Sequence, residues 1–450
     1  MLRRTSRSAA AATCAAGLPP CAQWRHHWRM DQIKQRVAII GAGAAGLACA
    51  RTLSATGAEV TVLEASDRVG GRIATDKVDG FLIDRGFQVL LTTYPEIDRQ
   101  LDRSALDLRP FERGALVHKG SRFIPVSDPF AKPASAGKMV FSGLIKPRDV
   151  AATLKLLRNA RSSRSGSSSR TETTIAEALA AAGVSKSMLE SFWTPFLAGI
   201  TLEPGLSTSS KFLDFLLVNF STGAAAVPAR GMQAIPQQLA SKLPEGTVRT
   251  GCEVTAIEKG LVHLSDGSNV AADHVVLATD GATAARLADE LPVPATHSVG
   301  QISFDCGATP PHSRPVLVLD GDRTGPVNNL QVMSNAAAGY APTGHSLATC
   351  SILEPYLGDS DELLERKVRA QLGGWYGKAV GSWKTIAINR VQQALPAQPV
   401  GSLEPLERPL RLRRWLWVAG DHRATSSIDG AMAAGRHAGE QIAATISEQA

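Results

Sequence analysis

Hydrophobic positions near the start of the chain predict a strand, a helix and a second strand in succession. The apolar run Val37–Ile40 is followed by a glycine-rich turn, by a helix-prone segment that reaches about Ala55, and by a second apolar run, Val60–Leu63. Short apolar runs bounded by glycine are typical of buried parallel strands, which need a crossover helix between them. The pattern therefore predicts a βαβ unit.

The turn and the residue after the second strand give this unit candidate chemistry. Residues 41–46 read Gly-Ala-Gly-Ala-Ala-Gly, and Glu64 follows the second strand. In such a turn the first glycine allows a sharp bend, the second lets the backbone approach a pyrophosphate, and the third lets the helix pack on the sheet. The helix N-terminus attracts the phosphates. Glu64 can accept both hydroxyls of an adenosine ribose and would repel a 2′-phosphate, which disfavours NADP.

A second motif narrows the choice of dinucleotide. Arg68, Gly70, Gly71 and Arg72 complete the pattern Glu-Ala-x-x-Arg-x-Gly-Gly-Arg, which a plain NAD site does not need. The paired glycines allow a second close backbone approach, and the arginines can offset the charge of a diphosphate. A solvated loop is the alternative interpretation of this segment.

At these residues the chain resembles the FAD-dependent amine oxidase superfamily, which includes monoamine and polyamine oxidases, protoporphyrinogen oxidase, phytoene desaturases and carotenoid isomerases. The resemblance continues through residues 84–88 and recurs at 419–421 and 427–431, so it brackets most of the chain. It implies an α/β fold in which a Rossmann-like FAD-binding domain with a parallel sheet is interleaved with a substrate domain of mixed sheet and helices. It also implies that the protein is an oxidoreductase with FAD as its cofactor.

The resemblance implies particular roles for residues outside the first motif. The segment 84–88 passes near the flavin, although Gly86 could instead be only a bulge. The backbone of Val254 pairs with the adenine, Asp421 holds the ribityl chain or the diphosphate, and the backbone of Ile428 faces the pyrimidine ring. The motifs and the resemblance together predict sixteen cofactor-binding residues: Gly41, Gly43, Ala45, Gly46, Glu64, Ala65, Arg68, Gly70, Gly71, Arg72, Gly86, Phe87, Gln88, Val254, Asp421 and Ile428.

Patterning along the rest of the chain predicts how the two domains alternate. We assign residues 31–94, 228–295 and 405–450 to the FAD-binding domain, and residues 95–227 and 296–404 to the substrate domain. The Ser/Arg-rich stretch at 159–171 has too few apolar residues to join a core, so it is predicted to be a disordered insertion.

Two apolar segments of the predicted substrate domain bear on the ligand. Met188–Leu202 and Phe212–Phe220 are rich in Phe and Leu, and both are too short to cross a bilayer. They fit core packing, the wall of an apolar substrate tunnel, or a surface in peripheral contact with a membrane.

The positive charge of the chain is concentrated at its N-terminus. Of the formal net charge of +7, residues 1–30 contribute five arginines and no acid, which leaves +2 and no reason to invoke nucleic acid. These residues predict an organellar transit peptide, for a plastid or a mitochondrion. A secretory signal is one alternative, and translation from Met30, which would leave a cytoplasmic enzyme, is another. The remaining four cysteines lack metal or disulfide spacing, so no metal site is predicted.

The predicted reaction is the removal of a hydride from a hydrophobic small molecule, as in desaturases or protoporphyrinogen oxidase. No signature of nucleophilic or zinc catalysis competes, and no catalytic residue is assigned; His422 is the histidine of most interest. The chain departs from classical amine oxidases at Ser427, where one of two substrate-holding tyrosines would fall, and near Gln301, where by a loose alignment a catalytic lysine would fall. The alternatives are an amine oxidase that produces H2O2 and a flavin-binding protein that supports isomerisation or another non-redox role.

Overall fold

The computed structural model describes residues 35–127, 143–164, 170–403 and 408–448, so the predicted presequence lies outside the described residues. The strands, numbered in chain order, are β1 (Arg36–Ile40), β2 (Glu59–Leu63), β3 (Thr75–Val78), β4 (Phe81–Asp84), β5 (Leu90–Leu91), β6 (Leu108–Pro110), β7 (Gly114–Lys119), β8 (Arg122–Ser127), β9 (Ala225–Pro228), β10 (Val248–Arg249), β11 (Val254–Glu258), β12 (Gly260–Leu264), β13 (Asn269–Ala272), β14 (His274–Leu277), β15 (Thr296–Asp305), β16 (Leu317–Asp320), β17 (Val327–Val332), β18 (Leu347–Ile352), β19 (Lys384–Pro396), β20 (Arg411–Arg413) and β21 (Leu416–Val418).

The α-helices, numbered in the same way, are α1 (Ala44–Ser54), α2 (Pro95–Gln100), α3 (Arg103–Leu106), α4 (Pro147–Arg164), α5 (Ile175–Ala182), α6 (Lys186–Met188), α7 (Thr194–Thr201), α8 (Ser210–Thr222), α9 (Ala234–Ala240), α10 (Gly281–Leu287), α11 (Met333–Ala336), α12 (Asp361–Tyr376) and α13 (Ile428–Ser447). A π-helical turn, Leu189–Trp193, joins α6 to α7. The mixture of parallel and mixed sheets with many helices confirms the predicted α/β class.

The predicted βαβ unit forms the centre of a six-stranded sheet. Its strand order is β10-β2-β1-β14-β21-β20, parallel except for the last pair. Ile39 lies opposite Val62 on one side and Val276 on the other, and all three are fully buried. The carboxyl ends of β1, β2 and β14 therefore meet at one edge of the sheet, where open α/β sheets bind their ligands.

Helices α1 and α13 pack closely on one face of this sheet. A Cβ added to Gly435 would lie 2.0 Å from the carbonyl oxygen of Ala45, so only glycine permits this approach. Cys49 is fully buried in the same helix, and its carbonyl oxygen would lie 3.1 Å from a Cβ added to Gly439 on α13. The antiparallel strands β11, β12 and β13 and the helix α10 contribute to the core on the other face.

A second sheet has seven strands in the order β19-β15-β18-β17-β16-β7-β8. Its pairs are antiparallel except β16 and β7, which run parallel. Helix α12 buries Leu364, Val368 and Leu372 against one face. The strands of this sheet come from residues 95–227 and 296–404, and those of the first sheet from the segments assigned to FAD binding. The described residues all belong to one compact unit, and the division into two domains stays a prediction.

The predicted insertion at 159–171 requires a correction. Helix α4 continues to Arg164, and Ala160 is fully buried within it. Beyond the gap at 165–169, which lies outside the described residues, Arg170 forms an ion pair of 2.8 Å with Asp214 on α8. An alanine in the core and a paired arginine attach both ends of the segment to the fold, which a count of its apolar residues does not reveal.

Candidate functional site

The carboxyl ends of β1, β2 and β14 open onto a cavity of about 610 Å³. Fourteen of the sixteen predicted cofactor-binding residues line it: Gly41, Gly43, Ala45, Glu64, Ala65, Gly70, Gly71, Arg72, Gly86, Phe87, Gln88, Val254, Asp421 and Ile428. The structure thus brings together residues from four separate parts of the chain. Their individual contacts with a cofactor stay predictions.

The glycine turn leaves an open strip along the cavity wall. Gly41 has φ +101°, and a Cβ there would lie 2.8 Å from the carbonyl oxygen of Ala278, so this position requires glycine. A Cβ on Gly43 would meet no protein atom closer than the carbonyl oxygen of Gly70, at 4.0 Å. Gly43 and Gly70 form an isolated parallel bridge, so two backbone segments without side chains lie next to each other. Such a strip fits the close approach of a diphosphate.

Helix α1 begins at this strip. Its N-cap is Gly43, which has no side chain to accept the N–H groups of the first turn. These N–H groups lack an intrahelical partner, and Ala44 and Ala45 line the cavity. Together with the helix dipole they form a site for phosphate oxygens.

Glu64 lies at the end of β2 with its side chain nearly buried. Its carboxylate accepts hydrogen bonds from the backbone N–H of Ala42, at 2.7 Å, and of Ser66, at 2.9 Å. Oε1 also accepts from the Ser66 hydroxyl at 2.7 Å, which leaves a free lone pair on Oε2. The geometry holds Glu64 in place and leaves Oε2 able to accept from the ribose. The glycine strip, the uncapped helix and this acid together fit FAD.

Two predicted residues do not line the cavity. Arg68 forms an ion pair with Asp76 on β3, with 2.5 Å between Nη2 and Oδ1. A nearby carboxylate therefore competes with a diphosphate for this guanidinium, and the cofactor contact of Arg68 stays a prediction. Gly46 acts in packing: a Cβ there would lie 1.9 Å from the carbonyl oxygen of Gly41.

Arg72 and Asp421 join distant segments at the cavity wall. Arg72 Nη2 lies 2.6 Å from Asp421 Oδ1, and Nη1 donates to the carbonyl oxygen of Ala394 on β19. Burial acts to lower the pKa of Arg72, but the neighbouring Asp421 raises it above its usual value. Asp421 lines the cavity with one carboxylate oxygen already bound to Arg72, and its contact with a cofactor stays a prediction.

The segment 84–88 is held by buried polar groups. Asp84 accepts hydrogen bonds from Thr75 Oγ1, the backbone N–H of Met232 and the hydroxyl of Tyr340, at 2.5, 3.0 and 2.7 Å. Burial raises the pKa of Asp84 to about 6 despite these donors.

The next residues of this segment form the turn that faces the cavity. Gly86 has φ +83°, and its N–H donates to Gln301 Oε1 at 2.6 Å. Gln88 Nε2 donates to the carbonyl oxygens of Arg72 and Arg85. The turn is therefore fixed from both sides.

Helix α13 also points its N-terminus at the cavity. Ser427 is its N-cap, and Ser427 Oγ accepts the N–H of Gly430 at 2.9 Å. A tyrosine at this position could not make that cap, so the departure from the amine oxidase pattern has a structural role here. Ser427 and Ile428, at the start of α13, line the cavity.

Gln301 and His422 have roles other than those considered from sequence. Gln301 is 2% exposed, does not line the cavity, and holds Gly86 from beneath. Both ring nitrogens of His422 are buried with no hydrogen-bond partner among the described residues. Burial lowers the pKa of His422 to about 4, so the ring is neutral at pH 7. It does not line the cavity.

The sequence did not identify several residues of the cavity wall. Asp280, Thr283 and Arg286 belong to α10 and its N-cap, shortly after β14; Asp280 caps the helix by accepting the N–H of Thr283, and Arg286 lies in its last turn. Their place after the carboxyl end of a parallel strand is a signal that could have found them. Tyr94 and Ser351 also line the cavity, and no sequence pattern marked them.

The two apolar segments contribute to both the core and the cavity. Trp193 and Leu213 are buried in the core. Residues that line the cavity are Gly199, Ile200, Leu202, Phe212, Leu216 and Phe220. Within the described ranges, no helix is long and apolar enough to cross a membrane, and no cluster of His, Cys, Asp and Glu could hold a metal ion.

The chain is similar in sequence to a family of known proteins. The model of the family described as flavin containing amine oxidoreductase matches residues 44–443. Protoporphyrinogen oxidase 2, chloroplastic/mitochondrial, of Arabidopsis thaliana is 32% identical over 111 residues, which are 25% of this chain and 22% of that protein. Polyamine oxidase 1 of Oryza sativa subsp. japonica is 28% identical over 336 residues, covering 69% of this chain and 64% of the relative.

A solved structure of reduced UDP-galactopyranose mutase shares the fold. It has a TM-score of 0.67 and 16% identity, and the alignment covers 92% of this chain and 97% of that one. The chain spans about a fifth of the length of the protoporphyrinogen oxidase that it matches. Because the family model covers most of the chain, the chain belongs to the flavin containing amine oxidoreductases, a family of FAD-dependent oxidoreductases.

Proposed function

We propose that the protein takes a hydride from a hydrophobic small molecule, with FAD as the acceptor. The observation that carries this proposal is the composition of the cavity wall contributed by residues 95–227 and 296–404. Among the described residues of that wall, none is ionisable and most are aliphatic or aromatic: Gly199, Ile200, Leu202, Phe212, Leu216, Phe220, Val299, Ser351, Val391, Ala394 and Leu395. Apolar walls bind apolar ligands, at about 25 cal/mol per Å² of buried surface.

The residues of the βαβ unit bind the cofactor in this proposal. The glycine strip and the N-terminus of α1 hold the diphosphate, and Glu64 accepts the ribose hydroxyls. The chemistry that FAD supplies when bound is the acceptance of a hydride. The protein contributes orientation, and its apolar wall keeps water from the substrate.

Two features would position the flavin part of FAD. Gln301 holds the Gly86 turn against the cavity, and the N-terminus of α13 presents its dipole beside Ile428. A helix N-terminus stabilises negative charge that develops close to it. We propose that these groups position the flavin rather than exchange protons with the substrate.

Replacing Glu64 with alanine should weaken FAD binding by about 1–3 kcal/mol, because charged hydrogen bonds to the ribose are lost. The dissociation constant can be measured by quenching of flavin fluorescence when FAD is titrated with apoprotein. Ser66→Ala is the matched control, since Ser66 Oγ donates to Glu64 at 2.7 Å and does not line the cavity. An equal loss in both variants would mean that Glu64 only supports the loop.

Substrate class can be tested by mixing the oxidised holoprotein anaerobically with panels of amines, porphyrinogens and carotenoids. We expect apolar compounds to bleach the flavin absorbance, with stoichiometric formation of oxidised product. Bleaching by primary amines or polyamines alone would indicate an amine oxidase and contradict the proposal. Turnover that needs prior chemical reduction, without net electron transfer, would indicate an isomerase instead.

A further inference from the structure

The seven-stranded sheet has one apolar face and one polar face. The apolar face packs on α12, as described above. The opposite face carries two cross-strand rows, each of which runs over β15, β18 and β17. The rows are Gln301–Ser351–Asn329 and Ser303–Thr349–Gln331, and all six residues are at most 4% exposed. Buried polar side chains in this number need hydrogen-bond partners.

Hydrogen bonds within the rows satisfy most of these groups. Asn329 Nδ2 donates to Ser351 Oγ at 3.0 Å and lies 3.3 Å from Gln331 Oε1. Gln301 donates to Ser303 Oγ, which lies 3.3 Å from the hydroxyl of Thr349. These bonds form two separate networks, and the one made by Asn329, Ser351 and Gln331 fixes the orientation of Ser351.

Ser351 is the exception at the edge of the network. Its hydroxyl accepts from Asn329, and its own proton has no acceptor among the described residues. Gln331 Nε2 also lacks a partner, but Gln331 does not line the cavity. Ser351 does line it, beside Val299 and Val391. A fixed hydroxyl whose proton has no partner in the protein is a donor available to a ligand.

The surroundings of Ser351 restrict what that ligand can be. In the described wall from residues 95–227 and 296–404, Ser351 has the only polar side chain, and there is no charged group. A carboxylate or an ammonium ion held against this part of the wall would find no counter-ion on it, so its desolvation would be compensated less than that of a neutral group. A neutral oxygen acceptor needs only one donor.

We propose that Ser351 is a substrate-binding residue that donates a hydrogen bond to a neutral oxygen, such as a carbonyl or ether oxygen, of an otherwise apolar substrate. This inference rests on the proposed function, because it assumes that the apolar part of the cavity holds the substrate. It narrows the substrate class to neutral molecules with one oxygen acceptor and an apolar body. Dicarboxylates and cationic amines are disfavoured.

The test compares two probes of the same shape on the oxidised holoprotein. The first, 2-acetylnaphthalene, carries a carbonyl oxygen, and the second, 2-ethylnaphthalene, carries none. Their dissociation constants are measured from perturbation of the flavin absorbance. Ser351→Ala should weaken binding of the ketone about fivefold, the usual worth of one neutral hydrogen bond, and leave the hydrocarbon unchanged.

Thr349→Val is the matched control. It removes a hydroxyl from the same strand and the same polar face, and Thr349 does not line the cavity. We expect it to leave the affinities for both probes unchanged. As a charged probe, 2-naphthoate should bind at least about tenfold more weakly than the ketone to the wild-type protein, because its charge would be buried without a partner.

The remaining outcomes separate this inference from the proposed function. Equal losses for both probes in Ser351→Ala, or no loss for either, would overturn the role of Ser351 and leave the apolar site intact. Weaker FAD binding by Ser351→Ala without any probe would show that the oxygen acceptor belongs to the flavin, which also overturns it. Failure of the wild-type protein to bind either naphthalene would contradict the proposed function itself.

Discussion

Replacing Gly43 with valine should give a folded protein that no longer binds FAD. The backbone at Gly43 has φ −75° and ψ −178°, a conformation that valine adopts readily. Its Cβ would meet no protein atom closer than 4.0 Å, so the new side chain projects into the open strip where the diphosphate is expected. We expect the dissociation constant to rise about a thousandfold or more, equivalent to about 4 kcal/mol. Titration with FAD would measure the loss of binding, and circular dichroism and the melting temperature of the apoprotein would show whether the variant is folded.

Two other glycines provide controls for this result. Gly46→Val should prevent proper folding, since a Cβ there would lie 1.9 Å from the carbonyl oxygen of Gly41. Gly374→Val on α12 has nothing within 4 Å of its Cβ and should leave both folding and flavin content unchanged. If Gly43→Val retained FAD with wild-type affinity, the assignment of the strip to the diphosphate would be wrong.

Replacing Asp84 with alanine should destabilise the protein by about 3 kcal/mol or more. The substitution removes the acceptor of three buried donors, on Thr75, Met232 and Tyr340, and each orphaned donor costs about 1–3 kcal/mol. Denaturant unfolding of the apoprotein would measure the loss. Asp98→Ala should change stability by only about 0.5 kcal/mol, because Asp98 forms an exposed ion pair. A similar effect of the two substitutions would contradict the role of Asp84.

Asp84 should also make stability depend on pH. Burial raises its pKa to about 6, against about 3.9 in the unfolded chain, so the folded protein binds more protons between these values. The free energy of unfolding should therefore fall by about 3 kcal/mol, from this group, as the pH rises from about 4 to about 6. His422, whose pKa burial lowers to about 4, acts in the opposite direction over the same range.

The contribution of Asp84 must therefore be measured as a difference. Unfolding of the wild-type protein and of Asp84→Asn should be compared at each pH, so that His422 contributes equally to both. The wild-type protein should lose stability relative to the variant as the pH rises. A difference that does not vary with pH would mean that Asp84 keeps an ordinary pKa.

The structure shows why some of the candidate site could be predicted from the sequence. Gly41, Gly43 and Glu64 lie on one βαβ unit, where the hydrophobic pattern specifies strands and helix and therefore the order of the residues at their ends. Arg68 lies on the same stretch, but it forms an ion pair with Asp76 and does not line the cavity. A sequence motif gives the position of an arginine in the chain, but the acidic side chains around it in the fold decide which partner it binds.

The sequence alone determined the α/β class, the glycine strip, the acid that follows β2 and the family, because each depends on residues close together in the chain. Tertiary structure alone decided that Gln301 holds Gly86, that Arg72 binds Asp421 and that Tyr340 donates to Asp84, pairs separated by 215, 349 and 256 positions. Tertiary structure also decided that the Ser351 hydroxyl lines the cavity with no acceptor among the described residues. Such contacts depend on the register between strands and on the packing of distant segments, and no local periodicity encodes them.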